Sequence, residues 1–405
     1  MKSKQLARLA ALTAGFLLTL LLDRALGWAG LPAQPVAYPV APPNYEVSFE
    51  RLEYSYVLRA NDRGIRYRTI PLAKPVGTRR IVLIGDSFTE GACVEVEQRW
   101  SNLIEEQHSA GGALELVNCA EAGTHPPDYL RTLVELGFDY QPDLVLVGLY
   151  FDDLAKTPAG FDVARALEAP GGWSQCVMRG LWPHLSTLLQ GGRVQAALRS
   201  ERDDGEPLDL LARARREAAT RDIPDEKLER WLAAVPPDML DAAQDRRISP
   251  GLVTHALTRP GFFEDGIGVE SERAQRRAAA VARILDQMLA CCQERGVELG
   301  LVLLPSVHQF DPASGERLMA RLFAELGRPV RPEWTTETTG MQRVLASWAE
   351  AREVPLCDLV PVFRSALPEA TEPLTYAIDP HWTPAGHRVA AEAIATWLEQ
   401  RGWLR

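Results

Sequence analysis

The stretch Arg80-Ile81-Val82-Leu83-Ile84-Gly85-Asp86-Ser87-Phe88-Thr89-Glu90-Gly91 indicates more about the fold than any other part of the 405-residue chain. Its apolar, β-branched run predicts a fully buried strand that ends in a turn. Ser87 follows the strand between two glycines, which permit a sharp bend. Apolar residues at helical spacing from Gln98 to His108 predict a helix soon afterwards. An α/β enzyme presents a nucleophile at such a position, and a Gly-Asp-Ser turn without a chemical role is the alternative.

A second motif near the C-terminus, Asp379-Pro380-His381-Trp382-Thr383-Pro384, changes the balance between these two interpretations. Thr383 and Pro384 predict the start of an amphipathic helix that runs to about Glu399. On its own, Asp379-x-His381 would favour a structural histidine in a capping loop. Together with Ser87 it supplies a hydroxyl, an imidazole able to take its proton and a carboxylate able to orient the ring. The pair of motifs therefore favours catalysis.

The order of predicted elements indicates the fold class. Strands are predicted at 80–84, 114–118, 143–149, 297–304 and 355–358, and helices at 97–108, 126–137, 270–295, 313–327 and 337–352. This alternation predicts a doubly wound, three-layer α/β/α fold of flavodoxin-like type, with a parallel sheet and right-handed crossovers. Ligands bind at the carboxyl ends of such strands. Ser87, Gly123 and Asp152 each follow a predicted strand, so they are expected to gather at one rim.

The N-terminus carries a membrane signal. Lys2, Lys4 and Arg8 precede the uncharged apolar run 9–22, whose fourteen residues match a signal-peptide core. Extension to Trp28 would let the segment span a bilayer. The absence of a convincing cleavage site favours an uncleaved anchor over a cleaved signal peptide. The basic residues then place the N-terminus in the cytoplasm and the remainder outside it.

The expected organisation has three parts: an anchor or signal peptide (1–30), a proline-rich stalk and arm (31–57), and the α/β domain (58–405). Residues 156–265 interrupt the alternation and predict a helical insertion, either a lid over the site or a solvated decoration. The net charge of −10 argues against a general nucleic-acid surface. No Cys or His spacing matches a metal site. A bridge between Cys93 and Cys119 is considered, and separate thiols are favoured.

Four blocks in order resemble the SGNH (GDSL-like) hydrolase family: Gly85–Gly91, Val117–Thr124, Val145–Leu154 and Asp379-x-His381-Trp382. The resemblance covers residues 58–155 and 280–400. The stretch Asn61-Asp62-Arg63-Gly64-Ile65-Arg66 looks like that of bacterial members with an N-terminal membrane segment. The last block also looks like domains that take part in O-acetylation of exopolysaccharides such as alginate.

The resemblance implies a role for each matched residue. Ser87 would be the nucleophile and its N–H one oxyanion donor, Gly123 a second backbone donor, His381 the general base and Asp379 its orienting partner. The family's third donor is an asparagine, and Asp152 stands in its place. An ionised carboxylate cannot donate a hydrogen bond and would repel an oxyanion. Three readings stay open: Asp152 is protonated by burial, another residue donates, or the protein is weak or inactive.

Three further residues are candidates for lining a substrate: His125, Asp153 and Trp382. For His125, a structural role before the helix that starts at Pro126 is favoured. For Trp382, packing under the His381 loop is favoured over a sugar platform.

The function expected from these features is an extracytoplasmic serine esterase that hydrolyses an O-acyl, above all acetyl, ester on a carbohydrate or cell-envelope substrate. One alternative is an O-acetyltransferase with the same Ser-His-Asp site. Another is an impaired SGNH-type protein that binds glycan or a partner. The expected contacts are an acylated carbohydrate or small ester and, through the N-terminal segment, a membrane. No cofactor is implied, and the sequence indicates no protein partner.

Overall fold

The computed structural model describes residues 2–29, 41, 43–109, 113–163, 180–186, 209–220, 223–259 and 261–404. The described strands are β1 (Glu46–Glu50), β2 (Ser55–Arg59), β3 (Arg79–Ile84), β4 (Leu114–Asn118), β5 (Leu144–Leu149), β6 (Glu298–Leu303) and β7 (Leu356–Asp358). The described α-helices are α1 (Lys2–Trp28), α2 (Ser87–Glu90), α3 (Trp100–His108), α4 (Pro126–Glu135), α5 (Phe151–Lys156), α6 (Leu210–Thr220), α7 (Asp225–Ala234), α8 (Pro237–Gln244), α9 (Pro250–Thr258), α10 (Glu272–Gln293), α11 (Leu318–Glu325), α12 (Gly340–Ala351), α13 (Val360–Ala366) and α14 (Pro384–Gln400).

Five strands form one parallel sheet in the order β4-β3-β5-β6-β7. Strands β4 and β5 are buried along their whole length, as expected when helices cover both faces of a parallel sheet. Helix α3 packs against α14, and α10 packs against α4 and α5, so the helices form two layers around the sheet. The predicted doubly wound, three-layer fold is confirmed.

The strand order places Ser87 at the switch point of the sheet. The chain leaves β3 for β4 on one side and then crosses back to β5 on the other. Ser87 comes three residues after β3 ends, at the edge where a crevice forms in open α/β sheets. The loop after β4 is held to the turn before Ser87, because Glu121 N and Thr124 Oγ1 donate to Gly85 O at 3.1 and 3.2 Å.

Two predicted helices are shorter than the sequence pattern suggests. The prediction at 97–108 is a 3₁₀ turn followed by α3, and the prediction at 313–327 is a 3₁₀ turn followed by α11. Arg99 and Arg317 stand at the breaks with extended ψ angles of 148° and 150°. Arg99 bonds Glu90 O, and Arg317 bonds Thr375 Oγ1 and Tyr376 O. Tertiary hydrogen bonds thus override helix propensity at both positions.

The strands β1 and β2 form an antiparallel hairpin outside the main sheet, with a small core of its own around Val47, Phe49 and Tyr56. The boundary expected between residues 57 and 58 falls inside β2 and is corrected here. The predicted stalk lies mostly outside the described residues.

The described part of the insertion includes four helices, α6 to α9. Helix α9 packs against α11, so this part lies against the α/β domain. The turn of the β1–β2 hairpin contacts the insertion as well, since Leu52 N donates to Arg247 O at 2.9 Å.

Helix α1 is apolar and exposed. Its segment Ala10–Trp28 has a mean hydropathy of 1.5 and is only 6% buried. By length and composition this helix is sufficient to cross a membrane, a property that signal sequences share.

Candidate active site

The structure brings Ser87, His381 and Asp379 together. Ser87 is the first residue of α2, and the two other residues lie in the loop before α14. Ser87 Oγ is 2.7 Å from His381 Nε2, and His381 Nδ1 is 2.5 Å from Asp379 Oδ1. The same carboxylate oxygen accepts the backbone N–H of His381 at 3.0 Å. This arrangement joins a hydroxyl, an imidazole and a carboxylate in hydrogen-bond contact, as general-base activation of a serine requires.

The charges of this pair stabilise each other. Burial opposes ionisation of Asp379, but the neighbouring His381 holds the pKa of the carboxyl below its usual value. Burial also opposes protonation of His381, but Cys93 and Asp379 raise the pKa of the imidazole well above its usual value. The carboxylate is therefore charged, and the ring readily accepts a proton.

The imidazole of His381 is fixed by aromatic packing. It stacks on Phe88, with ring centroids 4.7 Å apart. Trp382 meets the same Phe88 ring edge-on at 5.4 Å, is fully buried, and directs its Nε1–H toward Pro305 O at 3.4 Å. Trp382 packs under the loop that carries His381 and has no exposed surface that a substrate could contact. It is therefore not a substrate-lining residue, as the sequence had suggested it could be.

The turn of the β1–β2 hairpin holds the loop that carries Asp379. The Glu53 carboxylate accepts the backbone N–H groups of Ala377, Ile378 and Asp379 at 2.7, 3.0 and 2.8 Å. Next to it, Tyr54 Oη donates to Asp379 Oδ2 at 3.1 Å. Burial and the nearby Asp379 raise the pKa of Tyr54, so its hydroxyl stays a donor. We call Glu53 and Tyr54 the hairpin clamp; the sequence-based reasoning missed both residues.

A cysteine thiol also adjoins the triad. Cys93 Sγ, a carboxylate oxygen of Asp379 and a ring nitrogen of His381 lie within 4.8 Å of one another. Burial and Asp379 raise the pKa of Cys93 above its usual value. Its backbone has a left-handed φ of 70°, and its carbonyl accepts the Tyr376 hydroxyl at 2.8 Å. Cys93 and Cys119 are free thiols, so the bridge considered between them does not form.

Gly123 offers an unobstructed backbone next to the nucleophile's turn. It is exposed, has a left-handed φ of 82°, and no atom lies within 4 Å of the position of a Cβ. Its loop is held to Gly85 by the bonds of Glu121 and Thr124 described above. Gly123 is therefore placed where its backbone is open to solvent, in a conformation that glycine adopts without strain.

Asp152 pairs with Lys156, one helical turn further along α5. Its other carboxylate oxygen is buried without a hydrogen bond in the described part of the chain. Burial and the neighbouring Asp152 raise the pKa of Asp86 to about 7. Burial and the neighbouring Asp86 likewise raise the pKa of Asp153 well above its usual value, because several carboxyl groups are crowded together here.

The two remaining lining candidates have structural partners. Asp153 is fully buried, and it accepts the Tyr129 hydroxyl at 2.7 Å and the Tyr150 N–H at 2.9 Å. It is corrected from a lining residue to a buried anchor of α5. His125 precedes α4, and its Nδ1 lies 2.9 Å from Asp128 Oδ2. This is the helix-start role that the sequence favours.

A cleft of about 470 Å³ borders the loop of Asp379 on its insertion side. It lies between α8, residues 311–321 and the pair Ala377-Ile378. Ser87 and His381 are not among the described residues that line it. The insertion thus shapes a concave surface beside the triad loop.

A family model described as the SGNH hydrolase-like domain of the acetyltransferase AlgX matches residues 262–404. This part of the chain resembles an SGNH hydrolase-like domain. The match covers about a third of the sequence and includes Asp379 and His381 but not Ser87. The resemblance stated from the sequence is confirmed, and the protein is an enzyme of the ester-acting class, a hydrolase or an acyltransferase.

Solved structures are similar only loosely. A catalytic mutant of an acetylxylan esterase from Geobacillus stearothermophilus is 12% identical, with a TM-score of 0.35 and coverage of 82% of this chain and 98% of that one. TesA is 12% identical (TM-score 0.36; 80% and 99% covered). A member of the lipolytic G-D-S-L family from Veillonella parvula is 9% identical (TM-score 0.36; 80% and 100% covered). None of the curated proteins compared with the sequence matches it.

The hairpin clamp gives a prediction about the loop of Asp379. Replacement Glu53→Gln removes the charge from three hydrogen bonds, each worth about 1.5–3 kcal/mol when the acceptor is ionised. We expect amide hydrogen exchange at residues 377–379 to accelerate about tenfold or more. Exchange measured by mass spectrometry checks this, with Glu50→Gln on the exposed face of β1 as the matched control. Unchanged protection at 377–379 would show that the clamp does not hold the loop.

Proposed function

We propose that the protein is an extracytoplasmic serine enzyme that acts on O-acetyl esters of a carbohydrate or cell-envelope polymer. The observation that carries this proposal is the 2.7 Å contact between Ser87 Oγ and His381 Nε2, with Asp379 on the other ring nitrogen. The family match supports acetyl chemistry, because the matched model is that of an acetyltransferase. The exposed apolar helix α1, which carries Lys2, Lys4 and Arg8 at its N-terminal end, supports placement at a membrane with the remainder of the chain outside the cytoplasm.

The proposed reaction has two halves. In the first, Ser87 Oγ forms a bond to the acyl carbon while His381 Nε2 takes the hydroxyl proton. The tetrahedral intermediate collapses, the ester C–O bond breaks, and His381 gives its proton to the leaving alcohol. In the second, His381 takes a proton from an incoming hydroxyl, which attacks the acyl-serine. The ester to Ser87 breaks, and the proton returns to Ser87 Oγ.

Asp379 holds the ring in the tautomer that leaves Nε2 free to accept the serine proton. It also stabilises the imidazolium that forms in each half. The backbone N–H groups of Ser87 and Gly123 are the proposed oxyanion donors. The open surroundings of Gly123 support this role. Donors of this kind act where charge develops, and loss of one typically lowers the rate by about 10²–10³.

Two acceptors can resolve the acyl-enzyme. Water gives an esterase, and a sugar hydroxyl gives an O-acetyltransferase. The family match favours transfer, whereas a fifth of the His381 side chain is exposed, which favours access by water. An acetyl-ester donor assayed with and without an oligosaccharide acceptor separates the two: an acetylated oligosaccharide indicates transfer, and free acetate alone indicates hydrolysis.

A third candidate, an impaired protein that binds glycan, is favoured by Asp152. A carboxyl group stands where the family has a neutral amide donor, and it forms an ion pair with Lys156.

A labelling experiment tests the role of Ser87 as the nucleophile. A fluorophosphonate probe should label the wild-type protein and leave Ser87→Ala unlabelled, because only an activated serine reacts. His381→Ala should lower the labelling rate by at least about 10³. Gel fluorescence measures the adduct, and Ser48→Ala, at an exposed position of β1, is the control that should keep full labelling. Equal labelling of Ser87→Ala would refute the proposed function.

Another prediction concerns the dependence of activity on pH. Since His381 acts as a base only when it is unprotonated, activity should rise with pH through its raised pKa. In Asp379→Asn the carboxylate that favours the imidazolium is gone, so the rising limb of kcat/KM should move to lower pH. The plateau should also fall by a factor on the order of 10⁴. Asp245→Asn, on an exposed side chain, should change neither. A rising limb that stays in place in Asp379→Asn would contradict the assigned pairing.

A further prediction concerns the role of Asp152. The change Asp152→Asn removes a negative charge and supplies an amide donor, so acetyl-ester cleavage should be maintained or increased, by up to about 10². Asp152→Leu also removes the charge but cannot donate a hydrogen bond, so it should not show the gain expected for Asp152→Asn. Initial rates on an acetyl ester check both variants. Complete loss of activity in Asp152→Asn would show that the carboxylate has its own role.

A further inference from the structure

One face of α1 differs from the rest of the helix. Phe16, Thr19, Asp23 and Gly27 are spaced by three, four and four residues, which places them in one stripe along the helix. Elsewhere the helix exposes large apolar side chains, which are Leu12 at 72%, Leu17 at 53%, Leu18 at 67%, Leu21 at 68% and Leu22 at 49%. A helix that only contacts lipid, or that is cleaved as a leader, has no need of a stripe that includes polar residues such as Thr19 and Asp23.

The stripe is occupied by Gly180–Ser186, the short described segment of the insertion. Trp182 Nε1 donates to Thr19 Oγ1 at 3.0 Å. The Trp182 ring also meets Phe16 edge-on, with centroids 5.3 Å apart. One tryptophan therefore makes both a polar and an aromatic contact with the helix.

The other two positions of the stripe contact the same segment. Leu185 N donates to Asp23 Oδ1 at 2.8 Å, and Asp23 is fully buried. A Cβ at position 27 would lie 2.6 Å from His184 Nε2, so the imidazole packs where only glycine leaves room. Each of the four stripe residues thus has a partner within a segment of seven residues.

These contacts satisfy groups that are costly in a bilayer. An acidic side chain and an unpaired backbone N–H are both costly within the hydrocarbon of a membrane. Asp23 and the Leu185 N–H satisfy one another, and Arg24 lies 3.5 Å from the same carboxylate.

The composition of the surrounding sequence agrees with contact to lipid. Residues 169–192 contain only one charged residue, Arg179, whereas the chain average of 24% would give about six. Leu181, within the docked segment, is exposed. Trp182 is of the type enriched at membrane interfaces.

We propose that Gly180–Ser186 inserts into the extracytoplasmic half of the bilayer alongside a retained α1. The basic residues in the first turns of α1 place its N-terminus on the cytoplasmic side, and Asp23 stands five residues, about 7–8 Å, before Trp28. The insertion is then a second membrane contact of the enzyme, and α1 is a permanent anchor. This inference rests on the membrane placement in the proposed function, but not on the chemistry of Ser87.

The test uses the full chain in lipid nanodiscs. An environment-sensitive fluorophore is attached to Leu181→Cys in a background without other cysteines, and lipids with nitroxide-labelled acyl chains are added. We expect at least twofold stronger quenching at Leu181 than at Glu229→Cys, an exposed position on α7. Intact-mass analysis should show that residues 2–28 are retained. Equal quenching at the two positions, or a mature chain without α1, would overturn the proposal.

A pair of variants tests the contact with Asp23. Asp23→Leu removes the acceptor for the Leu185 N–H and should reduce quenching at Leu181 by about half, whereas Asp23→Asn keeps an acceptor oxygen and should preserve it. Unchanged quenching in Asp23→Leu would show that this contact does not seat the segment. Labelling of Ser87 by the fluorophosphonate probe reports separately on the active site, so failure of the membrane contact is distinguishable from failure of the proposed function.

Discussion

The contact between His381 Nδ1 and Asp379 Oδ1 is the interaction on which the rest of the site depends. Both groups are largely removed from water, so each charge is stabilised mainly by its partner and by fixed hydrogen bonds. A buried pair of this kind gives net stabilisation only with good geometry. The stack on Phe88 and the donors around Asp379 supply that geometry. The imidazole is consequently held with its second nitrogen directed at Ser87.

Three distant parts of the chain cooperate in this arrangement. The parallel sheet places Ser87 at the switch point, where the chain changes direction across the sheet. The loop before α14 brings the imidazole and carboxylate to the same edge. The hairpin clamp then holds that loop from the outside through Glu53 and Tyr54. The sheet alone would leave the carboxylate on a loop without side-chain support.

The sequence was sufficient to predict the sheet and the meeting of Ser87, His381 and Asp379, because their signals are local. Buried strands are continuous apolar runs, and the serine and histidine motifs each fit within a few residues. Glu53 gave no signal, since its partners are backbone N–H groups more than 300 residues away. The helix breaks at Arg99 and Arg317 depend equally on distant carbonyls. In contrast, the partner of Asp152 could have been predicted from the sequence, because Lys156 stands four residues later on a helix.

The hairpin also changes what counts as the smallest working unit of this protein. Glu53 and Tyr54, in the turn before β2, precede the region that resembles the family, yet they hold Asp379 and its loop. A version trimmed to begin at residue 58 would retain every strand of the main sheet and all three triad side chains. It would nevertheless leave Asp379 without the hydrogen bond from Tyr54. The backbone N–H groups of residues 377–379 would also lose their acceptor, the Glu53 carboxylate. The N-terminal limit for a competent fragment therefore lies ahead of Glu46.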